Sequence, residues 1–461
     1  MKKSSILLVT PPLLQPNTPY PATMHLKGWY DSIGRKCAQV DLSIKVVRDI
    51  LIEYGGEEVE ELLEFLGGPA PAEAKIEASK VIEGLAQDIK EQIDPDFGFA
   101  RYAEHLGAAV HRFSDLERAI RRRGVMDEPL ERHLEAAIKK YKPKEIGVTC
   151  PFPGTLVGAF KVAKYVREHH PNIRLIIGGG YVNTELRTTG HDKVLKYFDD
   201  IQFDDPTTGK LFIKPSYEGI DWDEYFDIAE TDNPVINLWN CGKWRKLIMA
   251  RGCYWHRCAF CDVHLPYIAD CQPSDPKEIV DAMEELGEGF PGFHFVDEAM
   301  PPKLIRGVCE EILRRHFECE WWGNIRFDLS FTDELCELMA KAGCIAVTGG
   351  LECANDRLLK LMNKGITLAS ARKALENFKR HEIFVHAYLM YDFPTETKAE
   401  EKSARKFVAG LVKEGLIQSY FWHRFALTIH SPIYQDAKKF GLKVHKPRTN
   451  FALNEVGYEY I

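Results

Sequence analysis

The sequence lacks the features of a membrane-spanning or secreted protein. No apolar run approaches the ~18–20 residues that a bilayer crossing needs. The apolar stretch that follows Met1-Lys2-Lys3 is short and ends at Pro11-Pro12, so no secretion signal is visible. We therefore expect a cytoplasmic protein without a membrane partner, whose thiols stay reduced.

The sequence also has no excess of positive charge. It contains 60 Lys and Arg residues against 68 Asp and Glu residues, which gives a formal net charge of −8. The run Arg121-Arg122-Arg123 is the one conspicuous basic cluster, and on a helix such a run is typical of a solvated face. The charge balance disfavours a nucleic-acid partner.

Length and composition are those of a multidomain globular protein. A chain of 461 residues suggests about two to four domains. The 45% of hydrophobic and 28% of charged residues argue against a disordered chain. The 12 cysteines occur in a chain too long for a small disulfide scaffold. Three of them lie within nine residues, and this grouping indicates a metal site.

The first part of the chain has the pattern of an open α/β domain. Short apolar stretches predict strands over Ser5–Thr10, Val40–Val47, Glu145–Cys150 and Arg174–Gly180. A charged segment at about 50–140, rich in Glu, Ala, Leu and Lys, predicts a helical insertion. We therefore predict a Rossmann-like, open parallel-sheet domain over residues 1–215, with its ligand crevice at the carboxyl ends of the strands.

The second part alternates strands and helices more regularly. We predict a linker over 216–243, a barrel over 244–430 and a short tail over 431–461. Six candidate strands are separated by helical segments: Arg245–Arg251, Phe293–Asp297, Trp321–Phe327, Ile345–Glu352, Phe384–Tyr391 and Ser419–Leu427. They predict a partial (β/α)6 barrel, because a closed eight-unit barrel usually needs ~250 residues. Functional residues are expected at the carboxyl ends of its strands.

The grouped cysteines directly follow the first predicted barrel strand. Cys253, Cys258 and Cys261 have the spacing C-x4-C-x2-C. Three thiolates on one loop can hold three irons of a [4Fe–4S] cluster and leave the fourth iron open. The spacing alone leaves two alternatives, a zinc ion with His256 or His264 as a further ligand, and buried thiols that bind nothing.

Five sequence motifs in this order resemble the radical SAM superfamily over about residues 244–430. Besides the cysteine loop, the matching segments are Phe295–Glu298, Asn324–Asp328, Gly349–Glu352 with the following Leu358–Thr367, and Asp392–Thr397. The cysteine loop departs from the usual C-x3-C-x2-C pattern by one extra residue in its first gap.

The resemblance implies a mechanism and a set of cofactor contacts. A [4Fe–4S] cluster on the three cysteines would reductively cleave S-adenosylmethionine to a 5′-deoxyadenosyl radical. By position, the implied contacts are Glu352 for ribose or methionine, Arg326 for the carboxylate, Asp297 and Glu298 for the amino group, Phe260 for adenine, and Gly349 and Gly350 beside them. The implied partners are an external electron donor of the flavodoxin or ferredoxin type and a small-molecule or peptide substrate.

The N-terminal segment resembles the cobalamin-binding domain that precedes many radical SAM barrels. Gly178, Gly179 and Gly180 stand where that domain meets the corrin tail, and glycines there let a backbone approach a large ligand closely. No Asp-x-His-x-x-Gly motif is present, so the sequence offers cobalt no lower-ligand histidine. We predict a cobalamin-dependent radical SAM enzyme that methylates an unactivated carbon. The alternatives are a radical SAM enzyme with a cobalamin-free domain and non-methylating chemistry, and a zinc-stabilised binding protein.

Overall fold

The computed structural model describes residues 5–99, 112–207, 212–290 and 292–461. The chain forms two compact units. The first comprises Met1–Thr207, Pro215–Lys243 and Arg448–Leu453, and the second comprises Thr208–Lys214, Trp244–Pro447 and Asn454–Ile461. Among the described residues, none of the helices has the length and apolarity that a membrane crossing demands.

The first unit is built on a five-stranded parallel sheet. Its strands are Ile6–Thr10, Cys37–Asp41, Glu145–Thr149, Arg174–Gly178 and Asp200–Ile201. Across the sheet the strands lie in the order second, first, third, fourth, fifth. The direction in which the sheet is built therefore reverses between the first and third strands. In doubly wound sheets, ligands bind at the carboxyl side of this reversal.

The expected second strand over Val40–Val47 was wrong in its extent. The strand ends at Asp41, and a helix begins at the next residue. The Asp41 carboxylate accepts hydrogen bonds from the backbone N–H groups of Ser43 and Ile44, at 2.8 and 3.4 Å, and so caps this helix. The apolar residues after position 41 are therefore the buried face of a helix and not a continued strand.

Helices cover both the predicted insertion and the crossovers of the first unit. The α-helices are Pro21–Ser32, Leu42–Gly67, Ala72–Gln92, Phe113–Arg121, Asp127–Tyr141, Leu156–His169, Gly180–Thr184, His191–Val194 and Pro234–Asn240, with 3-10 turns at Pro153–Thr155 and Trp222–Glu224. The four helices between Leu42 and Tyr141 confirm the helical insertion. They join the apolar core through residues such as Ile50, Ile82 and Leu116.

The segment that reads as a linker in the sequence packs with the first unit. Pro215–Lys243 groups there because Tyr225, Phe226 and Ile228 are buried in its core. The Tyr225 hydroxyl also donates a hydrogen bond to Asp41 Oδ2 at 2.8 Å. The segment resembles a linker in composition because polar and turn-forming residues surround these buried aromatic residues.

The second unit is a partial barrel of six parallel strands. They are Arg245–Leu247, Gly292–Phe295, Glu320–Ile325, Cys344–Glu352, Phe384–Tyr391 and Ser419–Arg424. Each strand pairs with its sequence neighbour, and the first and sixth lie at opposite edges, so the sheet is not closed. This confirms the predicted partial (β/α)6 barrel.

Helices and two short ladders complete the second unit. The helices are Pro266–Ala269, Pro276–Leu286, Pro302–Arg315, Asp333–Lys341, Asp356–Leu361, Leu368–Arg380, Lys398–Lys413 and Pro432–Gln435, with a 3-10 turn at Ala437–Phe440. The ladders pair Ala250–Arg251 with Gln272–Pro273 and Leu442–Val444 with Tyr458–Tyr460.

Alternation along the barrel strands separates an apolar and a polar side. Phe295, Trp321 and Val385 join the core that the helices cover. On the opposite side, Asn324, Thr348, His386 and Ser419 are direct register partners on four successive strands. The barrel interior therefore contains a polar row that crosses four neighbouring strands.

Candidate cofactor site

The three cysteines of the loop border one cavity at the carboxyl ends of the barrel strands. Cys253, Cys258 and Cys261 all line this space of 330 Å³. Among the described residues, no three His, Cys, Asp or Glu side chains converge on a single-ion position. A [4Fe–4S] cluster does not require this, because each thiolate binds a different iron. Three thiols around one cavity therefore fit the donor set of such a cluster.

A turn after the fourth strand holds the cysteine loop in place. The Trp255 indole N–H donates to the backbone oxygen of Asn363 at 2.8 Å. The backbone N–H of Ala259 donates to Met362 O, also at 2.8 Å. Gly365, at φ 75°, leaves space for the indole, because a Cβ on it would lie 2.1 Å from the Trp255 ring. Loop and turn thus form one packed structure.

Two buried cationic side chains lie beside Cys258. The Arg326 Nη1 atom is 4.0 Å from its sulfur, and Arg326 also donates to the backbone oxygen of Lys364. The pKa of Cys258 is lowered to about 6, because its thiolate accepts a hydrogen bond from Cys261 and lies near Lys364 and Arg326. This environment favours a thiolate, which is the form that binds iron.

The predicted contact Glu352 forms a buried ion pair. Its Oε1 atom is 2.6 Å from Lys364 Nζ, and the two side chains are only 6% and 9% exposed. Gly350 makes room for the pair, because a Cβ on it would lie 2.0 Å from Glu352 Oε1 and 2.7 Å from Lys364 Nζ. Lys364 lines the cavity, so Glu352 is connected to the site through this lysine.

The two acidic residues after the second strand have different surroundings. Glu298 lines the cavity and is solvent-accessible there, and desolvation by the surrounding protein raises its pKa to about 7. Asp297 is occupied elsewhere, because its carboxylate accepts from the backbone N–H groups of Met249 and Ala250, at 3.0 and 2.7 Å. Burial raises the pKa of Asp297 to about 7 as well. The geometry favours Glu298 over Asp297 as the group that faces a ligand.

The structure brings most of the remaining predicted residues to the same place. Gly349 and Gly350 line the cavity with Arg326, and the Phe260 ring lies 5.8 Å from Lys364 Nζ. The sequence reasoning did not single out Lys364. Its only sequence signal is its position inside the segment that follows the Gly349–Glu352 motif.

Residues of the interior polar row form the floor of the cavity, which the sequence analysis did not predict. Asn324 and Thr348 line the cavity, together with Tyr388. The Thr348 hydroxyl donates to Asn324 Oδ1, and the Asn324 amide donates to Asp297 O at 2.9 Å. Only the register of the strands brings these residues together, so no local pattern in the sequence could have shown the floor.

The three glycines of the first unit pack against this chain's own backbone. Gly179 has φ 111°, and a Cβ on it would lie 2.7 Å from Cys150 O. A Cβ on Gly180 would lie 2.8 Å from Pro151 O. A Cβ on Gly178 would meet Gln202 O at 3.3 Å. The geometry thus gives these glycines a role in packing the ends of neighbouring strands.

Two buried hydroxyls at the strand reversal of the first unit make no hydrogen bond. Thr10 and Thr149 are the last residues of the neighbouring first and third strands. They are 0% and 6% exposed, and neither Oγ1 atom has a hydrogen-bond partner within the described part of the chain. Buried polar groups are normally satisfied, so these two hydroxyls are exceptions, and they lie at the strand reversal where doubly wound sheets bind ligands.

Comparison with known families agrees with the geometry of the second unit. Residues 247–408 match the Radical SAM superfamily. The second unit is a radical SAM domain. Its family uses a [4Fe–4S] cluster and S-adenosylmethionine, which fits the three thiols of the cavity.

Solved structures with a similar fold contain a radical SAM domain as well. The chain is 14% identical to the radical S-adenosylmethionine methyltransferase TsrM from Kitasatospora setae, with a TM-score of 0.61 over 98% of this chain and 85% of that chain. It is 12% identical to the cobalamin-dependent S-adenosylmethionine radical enzyme OxsB, with a TM-score of 0.53 over 100% of this chain and 65% of that chain. At these identities the likeness concerns the fold alone, which extends over both units.

Curated relatives match parts of this chain. An anaerobic magnesium-protoporphyrin IX monomethyl ester cyclase from Cereibacter sphaeroides is 31% identical over 58% of this chain and 49% of its own length. An uncharacterized methyltransferase from Pyrococcus horikoshii is 21% identical over 59% of this chain and 66% of its own length. A bacteriochlorophyllide d C-12(1)-methyltransferase from Chlorobaculum tepidum is 25% identical over 33% and 34%. The matches therefore span from about a third to about two thirds of these relatives.

Proposed function

We propose that the protein is a radical SAM enzyme that uses S-adenosylmethionine at a [4Fe–4S] cluster held by Cys253, Cys258 and Cys261. The observation that carries the proposal is the single cavity on which these thiols meet Arg326 and Lys364. When bound and reduced, the cluster supplies the electron that splits S-adenosylmethionine into methionine and a 5′-deoxyadenosyl radical.

The residues around the cavity would position S-adenosylmethionine. Arg326 is suited to hold the methionine carboxylate, because its buried Nε atom donates no hydrogen bond within the described chain. Glu298 is suited to accept from the amino group. The ion pair with Lys364 fixes Glu352 near the ribose position that the family motif implies. The Phe260 ring is suited to contact adenine. These roles rest on position and chemistry.

We further propose that the first unit binds cobalamin, which would supply the methyl group for transfer to an unactivated carbon. The unsatisfied hydroxyls of Thr10 and Thr149 lie where a doubly wound sheet binds its ligand. Relatives named as methyltransferases, and the cobalamin named with one similar fold, support this choice. The glycines 178–180 would then act by shaping the strand ends.

The substrate is proposed to be a small molecule or a peptide. Tyr388 and Phe421 are register partners on the interior side of the fifth and sixth strands. These rings would favour a substrate with a flat apolar part. An external electron donor and a reducing, cytoplasmic location complete the proposal. All 12 cysteines are free thiols in the structure, which suits that location.

Anaerobic reconstitution with iron and sulfide tests the proposed function. The wild-type chain should bind about four irons and form 5′-deoxyadenosine from S-adenosylmethionine with dithionite. Cys258→Ala should lose both properties. Cys336→Ala, which removes a buried cysteine of the same unit outside the cavity, should keep them. One zinc and no iron would refute the proposal.

Cobalamin binding is tested separately. Loading with hydroxocobalamin should leave a corrin absorbance on the gel-filtered protein, and a Thr10→Val/Thr149→Val variant should retain less. Deoxyadenosine formation without corrin binding would instead identify a cobalamin-free radical SAM enzyme.

A further inference from the structure

The cysteine loop carries a tryptophan that connects the protein surface with a cluster ligand. The Trp255 ring lies 4.7 Å from the Arg326 guanidinium carbon, and Arg326 Nη1 lies 4.0 Å from Cys258 Sγ. The Arg257 guanidinium also lies close to this ring, at 5.4 Å. Arg257 is exposed, so a short chain of contacts leads from solvent to the sulfur of Cys258.

The surface around this tryptophan is cationic. Arg257 and Lys360 are both exposed, and within the described residues neither forms an ion pair. Asn363 links their backbones, because its side-chain amide donates to Arg257 O at 2.9 Å and its backbone N–H donates to Lys360 O at 3.0 Å. We name Trp255, Arg257, Lys360 and Asn363 the tryptophan face.

We propose that the tryptophan face is the docking surface for the electron donor, an acidic flavin protein of the flavodoxin class, and that Trp255 lies on the electron path to the cluster. The inference rests on the proposed function. A chain with a net charge of −8 repels an acidic protein on average, so docking requires a local cationic surface. The unpaired charges of Arg257 and Lys360 supply one next to the cluster loop.

The electron balance of the step is simple. The flavin hydroquinone of the donor loses one electron and becomes the semiquinone, and the oxidised cluster gains that electron. No bond forms or breaks within the protein. Trp255 would act as a bridge that shortens the through-space gap between the flavin and the sulfur of Cys258, and it would not itself be consumed.

Charge reversal tests the docking surface. Arg257→Glu/Lys360→Glu should weaken the binding of oxidised flavodoxin to the reconstituted protein about tenfold in low salt, measured by calorimetry. Lys402→Glu/Lys406→Glu makes the same charge change at exposed lysines of the helix Lys398–Lys413 and should change the affinity less than twofold. Wild-type binding should weaken as salt is added. Equal affinity of the Arg257/Lys360 variant and the wild type would overturn the proposal.

Two reductants separate the docking surface from the proposed function. Formation of 5′-deoxyadenosine with dithionite should be unchanged in the Arg257/Lys360 variant, whereas formation with reduced flavodoxin should fall at least fivefold. Absence of the product with dithionite in the wild type would refute the proposed function itself. If the variant and the wild type form 5′-deoxyadenosine equally fast with reduced flavodoxin, and equally fast with dithionite, the docking surface is refuted and the proposed function stands.

A Trp255→Leu variant tests the electron path. At saturating reduced flavodoxin, its cluster should be reduced at least fivefold more slowly than that of the wild type, followed by stopped-flow bleaching of the cluster absorbance. Rates are compared per bound cluster, because loss of the indole is expected to lower the iron content, and reduction by dithionite per cluster should then keep its rate. Equal slowing with both reductants would show that the loop was damaged, and it would overturn the role of Trp255.

Discussion

The buried pair of Lys364 and Glu352 allows a quantitative prediction. In a Lys364→Met variant, the Glu352 carboxylate stays at 6% exposure without its partner at 2.6 Å. Removal of one member of a buried pair costs about 3–5 kcal/mol, because the other charge remains desolvated. Burial alone would lower the pKa of Lys364, but Glu352 and Cys258 outweigh it and the pKa is raised. Lys364 is therefore charged when the pair is formed.

Two further variants calibrate this cost. Glu352→Gln/Lys364→Met removes both charges and should recover most of the lost stability, to within about 1–2 kcal/mol of the wild type. Lys341→Met breaks a pair with Glu337 of nearly the same length, 2.7 Å, whose side chains are 62% and 50% exposed. Its cost should be far smaller than that of Lys364→Met, because water screens an exposed pair.

Hydrogen exchange in low urea measures these costs in the apo protein. Peptides from the fourth and fifth barrel strands report the opening free energy of the second unit, whatever the stability of the first. A loss of 3 kcal/mol corresponds to exchange about 150-fold faster. If Lys364→Met changes exchange no more than Lys341→Met does, the pair does not lie in a dry interior and the reasoning fails.

Three other predictions concern single positions. Burial lowers the pKa of His386 to about 4. Between pH 6.5 and 4 the unfolded protein therefore binds more protons at this residue than the folded protein does, and stability should fall as the pH is lowered through that window. In urea titrations of a His386→Gln variant, the fall in unfolding free energy between pH 6.5 and 4 should be smaller by up to about 3 kcal/mol. An unchanged dependence of the unfolding free energy on pH would contradict the low pKa of His386. Gly179→Ala should cost about 1–3 kcal/mol in the same titrations, because its φ is 111° and its Cβ would meet Cys150, whereas Gly84→Ala on an open helix position should be neutral or stabilising. Gly365→Ala should displace Trp255 and lower the iron content after reconstitution, and full iron loading would show that the indole does not hold the loop.

Local patterns in the sequence were sufficient for the architecture of the second unit. The predicted fifth strand, Phe384–Tyr391, coincides with the observed one. The other five barrel strands differ from prediction at their ends, by one to four residues. Buried parallel strands consist of short apolar runs, and each run here is bounded by a turn or a helix start, so one-dimensional periodicity identifies them. The spacing of the cysteines likewise identified the loop that reaches the cavity.

Contacts between distant segments could not be predicted in this way. Lys364 meets Cys258 and Glu352 because a turn after the fourth strand folds onto the cysteine loop, and a lysine carries no signature of such a position. The unsatisfied hydroxyls of Thr10 and Thr149 are visible only once the two strands are side by side. The roles of Phe260 and Asp297 in binding the cofactor stay predictions. The hydrogen bonds that Asp297 accepts from Met249 and Ala250 indicate that it holds the segment after the first barrel strand in place.

The extra residue in the first gap of the cysteine loop has a physical account. The backbone is fixed on both sides of the gap, by a hydrogen bond from Cys253 N–H to Ile268 O at 3.0 Å and by the bond from Ala259 N–H to Met362 O. The four residues of the gap, 254–257, form the bulge of the loop and include a left-handed residue, His256, at φ 35°. The cysteines can therefore keep their positions on the cavity while the added length is taken up between them. That bulge is also the segment that presents Trp255 and Arg257, so the variant spacing and the tryptophan face are one structural feature, and shortening the loop by one residue should impair reduction by flavodoxin more than reduction by dithionite.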